Sequence, residues 1–319
     1  MKAAIYDHPG APGVLRYADV PDPACQPDGV VIRVEAIAIE GGDLIHRASS
    51  IPPGPSFVVG FAAAGVVVAV GRDVRDRQVG QKVTSFDLSG SHAELRAVAA
   101  SRTWPVPDGL DMAAAAALPI AFGTAHHCLF ARGGLQRAET VLVQAGAGGV
   151  GLAAIQLAHH AGATVLSTVS GTERINRLIA LGLDHAIDHR VVDVAEEVAR
   201  LTAGRGVDLV IDPVGSTLQA SLAVLRAEGR LVFVGNAGGA KLDLDLWPAL
   251  QENKSLFGVF MGTQFEKSAV YETVIQLLDQ AARGDLDVVV DRTFPLAEAA
   301  AAHAHAEGSA RLGRVVLIP

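Results

Sequence analysis

The run Gln144-Ala145-Gly146-Ala147-Gly148-Gly149-Val150-Gly151 sets glycines at 146, 148 and 151, the G-x-G-x-x-G spacing of a dinucleotide-binding turn. Each glycine has its own task in that chemistry. Gly146 allows a tight turn, Gly148 lets the backbone approach a pyrophosphate, and Gly151 lets helix and strand pack closely. Ala147, Gly149 and Val150 complete the stretch that turns the helix N-terminus toward the phosphates. The alternative is an ordinary βα turn rich in small residues. Context favours the dinucleotide reading, because an apolar strand precedes the run, a helix pattern follows it, and a second strand comes next. A NAD site would place Asp or Glu at the end of that second strand. Here the end reads Thr168-Val169-Ser170-Gly171-Thr172-Glu173-Arg174, with Ser170 in place of the acid and Arg174 following. A guanidinium binds a 2′-phosphate with paired, charge-assisted hydrogen bonds, so NADP(H) is the expected cofactor. A ribose contact from Glu173, with Arg174 merely solvated, is the competing reading.

Other reactive residues are sparse. Cys25 and Cys128 are the two cysteines, which excludes a disulfide framework and a four-cysteine zinc lobe and suits a reducing cytoplasm. Cys128 is expected to be buried. His126-His127 and His303-x-His305 diverge on a helix, and the second pair is expected near the surface of an alanine-rich helix. No Ser/His/Asp or Cys/His constellation is evident.

These residues need elements to hold them. The 319 residues suffice for about two domains, and half are hydrophobic with 19% charged, enough for sizeable cores. Lys+Arg 26 against Asp+Glu 34 gives −8, without a basic run, which argues against nucleic acid or an anionic membrane as partner. The apolar stretch Met112–Ala125 is too short to span a bilayer and contains Pro119, and residues 1–6 read as a strand, not a signal peptide. The first ~100 residues carry short β-rich runs (Gly29–Ala38, Gly65–Val70, Glu94–Ala99) between Gly/Pro/Asp turns, as in an antiparallel sheet or barrel. From Thr140 strands and helices alternate: Thr140–Ala145, Val150–Ala161, Thr164–Val169, Glu173–Leu181, Val207–Asp212, Leu218–Arg226 and Arg230–Gly235. Continuous apolar strands in that alternation make a doubly wound parallel sheet, an α/β fold. The tail (helix Ser268–Ala282, strand Leu286–Thr293, helix Leu296–Glu307, strand Arg314–Ile318) is too long to cap that sheet alone, so part of it is expected to return to the N-terminal domain.

The sequence resembles the zinc-independent quinone oxidoreductases of the medium-chain dehydrogenase/reductase superfamily. The matching pieces are Gly41-Gly42-Asp43-x3-Arg47, Gly60-x4-Gly65-Val66-Val67-x2-Val70-Gly71, Ala115-Ala116-Ala117-Leu118-Pro119, Gly146–Gly151, Asp212-x-Val214-Gly215 and Gly313-Arg314-Val315-Val316-Leu317. The resemblance implies a GroES-like β-barrel domain (1–121 and 262–319) and a Rossmann nucleotide-binding domain (122–261). It also implies site residues. A basic residue at Arg174 would bind the 2′-phosphate, with His189 where relatives have an aromatic. Thr124 would face the nicotinamide amide, and Val214, Gly235, Asn236, Val259 and Phe260 would lie beneath or beside the ring. Relatives often dimerise through the Rossmann sheet edge, a role for which Leu256–Met261 is the expected strand.

The zinc branch of the superfamily places ligands where this chain has Glu40, Phe61 and Ile120, and one carboxylate with two apolar side chains cannot make a zinc tetrahedron. Glu40 also replaces the Asn of many quinone reductases, with Ile45 and Ile51 where tyrosines are expected. Glu40 is read either as a proton relay raised toward neutrality by burial or as a loop residue bonded to backbone amides. Asp43 is expected to pair with Arg47 one helical turn later. The function implied is an NADPH-dependent, zinc-free reductase of quinones or α,β-unsaturated carbonyls, a small-molecule enzyme acting as a cytoplasmic homodimer. The competing readings are an NADPH-binding sensor or structural protein with little turnover, and a zinc-free carbonyl/alcohol dehydrogenase.

Overall fold

The computed structural model describes residues 1–239, 241–308 and 310–319, and the side chain of every one of these except Thr172. The chain divides into two compact units, Met1–Gly123 with Gly262–Pro319, and Thr124–Met261.

The first unit is built on the long strand Gly29–Ile39. It pairs antiparallel with Ala62–Val70 along one edge. Its other edge takes Leu95–Ala99 against its first half and Arg314–Ile318 against its last residues. The tail therefore closes on the N-terminal sheet, and Val290–Pro295 adds beside it in parallel. Lys82–Phe86 and Thr103–Pro105 extend the far side, and a second small sheet joins Arg16–Asp19, Lys2–Tyr6 and Phe57–Val58. Val34, Ile37, Ile39, Val315 and Leu317 share one core with Leu296 and with Ala299 and Ala302 of the helix Ala299–Glu307. The tail strand begins four residues later than the sequence suggested because its partner's pairing starts at Arg314 opposite Val290.

The second unit is a six-stranded sheet with every neighbouring pair parallel: β1 Thr140–Val143, β2 Thr164–Val169, β3 His185–Asp188, β4 Val207–Asp212, β5 Leu225–Phe233 and β6 Ser255–Gly258. Their order is β3-β2-β1-β4-β5-β6. That order reverses direction between β1 and β4, the switch point where open α/β sheets bind ligands beyond the strand C-termini. β4 is buried at all six positions, as a central strand with helices on both faces must be. β5 begins earlier than Arg230, so the helix from Leu218 stops at Ala223. A bulge accounts for it: Glu228 takes a positive φ of 62°, and the β4–β5 register shifts beside it.

The apolar segment starting at Met112 is longer than the sequence reading allowed. Its helix runs to His126 and continues as a π-helix to Arg132, 21 residues that are long and apolar enough to cross a membrane. Two-thirds of its most apolar window is buried inside the protein, as in the core helix of a globular fold.

Candidate active site

The glycine run turns tightly at the C-terminal end of β1, and Gly148 caps the helix Gly149–His160. A β-carbon on Gly146 would sit 2.1 Å from Ser167 Oγ, and one on Gly151 2.4 Å from the Ala145 carbonyl oxygen. Both positions are closed to any larger residue. At Gly148 the nearest atom would be 3.4 Å away. The outer glycines are required by packing, whereas the middle one leaves a bare backbone at the helix N-terminus, the cradle a pyrophosphate needs.

At the end of β2, Ser170 Oγ lies 2.8 Å from His189 Nε2, and the Arg174 guanidinium donates to the Ser170 carbonyl. Ser170, Arg174 and His189 thus form one polar cluster around Gly171. Arg190, which sequence reasoning passed over, belongs to it. Its guanidinium occupies the space beside Gly171, where a β-carbon would meet it at 2.4 Å. Asp188 fixes this corner, accepting from the Gly171 N–H at 3.0 Å and the Arg190 N–H at 3.1 Å. These two backbone bonds and the Arg190 charge hold its carboxyl below the usual range. The signal was local: Asp188 ends the third strand and His189-Arg190 directly follow it.

Across the switch point, the Val214 and Gly215 N–H groups donate to Asp212 Oδ1 at 2.9 and 3.0 Å. Asn236 packs against Gly215, where a β-carbon would meet its Oδ1 at 2.4 Å. Gly235 takes a positive φ of 114° that favours glycine. Val259 and Phe260 follow β6, with Phe260 exposed, and Thr124 is buried at the start of this unit.

Glu40 lies in the other unit. It precedes the helix Gly41–Ser49, is 2% exposed, and forms an ion pair with the buried Arg314. Burial lifts its carboxyl to about 7 although Arg314 pulls the other way. Asp43 does not pair with Arg47. Its Oδ2 turns back to accept the Glu40 N–H at 2.8 Å, satisfying an otherwise orphaned helix N-terminal donor. Arg47 instead reaches the Glu307 carboxylate and the Gly10 carbonyl. Burial pushes Asp43 up to about 8. His303 is fully buried rather than near the surface, because the far-off His92 supplies a partner at 3.0 Å, Nε2 to Nε2. His305 turns outward to Asp291. Cys128 is buried, as expected, which pushes its thiol up to about 12.

The side chains of Glu40, Phe61 and Ile120 do not together offer the donors of a zinc tetrahedron. At the three ligand positions Glu40 is committed to Arg314, Phe61 packs edge-on against His46 and Phe86, and Ile120 has no donor. Among the described residues no three His, Cys, Asp or Glu side chains are grouped as a metal ion would require.

A parallel sheet in this order, with the glycine turn at its switch point, defines a Rossmann dinucleotide-binding protein. The comparisons with known proteins narrow the class. Residues 26–108 match the alcohol dehydrogenase GroES-like domain, and residues 149–280 match the zinc-binding dehydrogenase domain. Over its whole length the chain is 35% identical to a 2-haloacrylate reductase of a Burkholderia species, covering 99% of that protein. It is 33% identical to a quinone oxidoreductase of Pseudomonas aeruginosa, with 97% of each chain covered. The solved structure of a mycobacterial protein complexed with NADPH superposes with a TM-score of 0.94 at 34% identity, covering all of both chains. The chain belongs to the quinone oxidoreductase family of the medium-chain dehydrogenase/reductase superfamily.

Proposed function

We propose that this protein is an NADPH-dependent, zinc-free reductase that delivers hydride to quinones or α,β-unsaturated carbonyl compounds. The observation that carries the reading is the end of β2, where Ser170 replaces an acid and Arg174 and His189 gather round Gly171. Such a corner suits a phosphate dianion, and its Asp188 carboxylate is already taken by the Gly171 and Arg190 N–H groups. The NADPH bound by the mycobacterial relative and the name of the Burkholderia relative support the cofactor and an activated alkene as acceptor.

When bound, NADPH supplies the hydride. The chain binds and orients it. Gly146 to Gly151 take the pyrophosphate, and Ser170, Arg174 and His189 the 2′-phosphate. Val214, Gly235, Asn236, Val259, Phe260 and Thr124 hold the nicotinamide end. Within the first unit, Glu40, buried beside Arg314 with its carboxyl lifted to about 7, is read as a proton relay. In the same reading the enzyme works in the cytoplasm as a homodimer, supported by two unbridged cysteines and by β6 as an edge strand.

Stopped-flow mixing of the NADPH complex with a panel of enones, quinones and alkenals tests this. Cofactor oxidation with a saturated carbonyl or hydroquinone as product is expected. An unsaturated alcohol would indicate a carbonyl reductase, and no oxidation despite tight NADPH binding would indicate a sensor.

A further inference from the structure

One chain of hydrogen bonds crosses the switch point and runs in a single direction. The Ala145 N–H donates to Thr168 Oγ1 at 2.9 Å, and the Thr168 hydroxyl donates to Gln144 Oε1 at 2.7 Å. Gln144 Nε2 donates to Ser221 Oγ at 3.0 Å, and the Ser221 hydroxyl donates to Asp212 Oδ2 at 2.7 Å. Thr217 adds a donor at 2.7 Å, and the other Asp212 oxygen takes the Val214 and Gly215 amides. Gln144, Thr168, Asp212 and Ser221 are all buried.

Two features set this apart from ordinary core satisfaction. Asp212 is fully buried and accepts four hydrogen bonds, two from backbone amides of the Val214–Gly215 turn and two from side-chain hydroxyls, so one side chain ties the turn to the rest of the network. At the opposite end Ala145 adopts a φ of 55°, a left-handed conformation that alanine holds only when its surroundings impose it. The chain begins at that residue and ends beneath Val214–Gly215.

We propose that Gln144, Thr168, Ser221 and Asp212 are positioning residues, a strut that fixes the Val214–Gly215 ledge relative to the glycine turn. The strut thereby sets where the nicotinamide half of the cofactor rests once its phosphates are seated. The inference rests on the NADPH reading above. It assigns the strut no contact with the cofactor. Its effect falls on the ledge under the nicotinamide, while the 2′-phosphate corner at Ser170 and Arg174 lies outside the chain of bonds.

Cofactor fragments separate the two ends. Ser221→Ala deletes one hydroxyl in the middle of the strut, and Gln144→Met removes its donor and acceptor at similar size. NADPH is titrated by fluorescence and 2′,5′-ADP by calorimetry. Each variant should lower NADPH affinity about five- to tenfold, the loss of one to one and a half net hydrogen bonds, while 2′,5′-ADP affinity stays within about twofold. The double variant should lose no more than the worse single one, because one break severs the strut. Equal weakening of both ligands in the variant that folds, or no weakening of either, would overturn the strut and leave the NADPH reading intact. If the unsubstituted protein binds neither ligand, both inferences fail.

Discussion

At the scale of single residues, the site rests on exclusions as much as on contacts. A side chain at Gly151 would collide with the Ala145 carbonyl and the Gly146 backbone, whereas Gly148 faces nearly open space. Gly151→Ala should therefore cost about 1–3 kcal/mol of stability by overpacking, read in a denaturant melt. Gly148→Ala should leave the melt almost unchanged and weaken NADPH binding, because its methyl group occupies the pyrophosphate cradle. The reverse pattern would mean the roles are misassigned. Glu40 and Asp43 make a second case. Burial lifts them to about 7 and about 8, from 4.5 and 3.8. Between those limits the folded state holds more protons than the unfolded state. Their contribution is therefore present at low pH and lost as pH rises from about 4 through 8. Glu40→Gln removes one titrating group and should flatten that decline, by up to about 1.4 kcal/mol per pH unit. Melts at pH 5, 6.5 and 8 measure it, and an unchanged slope would place the Glu40 carboxyl near its ordinary value.

At the scale of elements, regular periodicity was legible and long-range partnership was not. The strands Thr164–Val169 and Val207–Asp212 and the helix Ser268–Ala282 read directly from their apolar patterns. The helix Val194–Leu201 was overlooked, although Asp193 caps it and Glu196 stands three residues on. The bulge at Glu228 left no sequence mark, because a positive φ at a non-glycine residue comes from its surroundings. The glycine turn and the acid-free end of β2 were readable because each lies within one short segment. The strut from Gln144 to Asp212 and the pair His92–His303 were not, since each joins residues from distant parts of the chain. Asp43 and Arg47 had the right spacing for a pair, but better partners lay elsewhere: the helix N-terminus for one, Glu307 for the other. The burial of Cys128 has a direct consequence. In the native state a thiol reagent at neutral pH should titrate Cys25 alone, and both cysteines only in denaturant. Rapid reaction of two thiols in the native protein would contradict the burial.

At the scale of the whole molecule, the mass of 33.0 kDa gives the oligomer a simple test. Light scattering at micromolar concentration should return twice that value if β6 pairs with a second copy, and the chain mass alone would rule out a stable dimer. Cofactor preference tests the central claim more directly. Fluorescence titration of the unsubstituted protein and of Arg174→Ala with NADPH and NADH should show NADPH bound more tightly. The substitution should weaken NADPH about ten- to hundredfold, the worth of hydrogen bonds to a charged phosphate, and leave NADH nearly unchanged. The loss should shrink as salt rises, because an open phosphate site is screened. Equal affinity for the two cofactors, untouched by Arg174→Ala, would contradict the account.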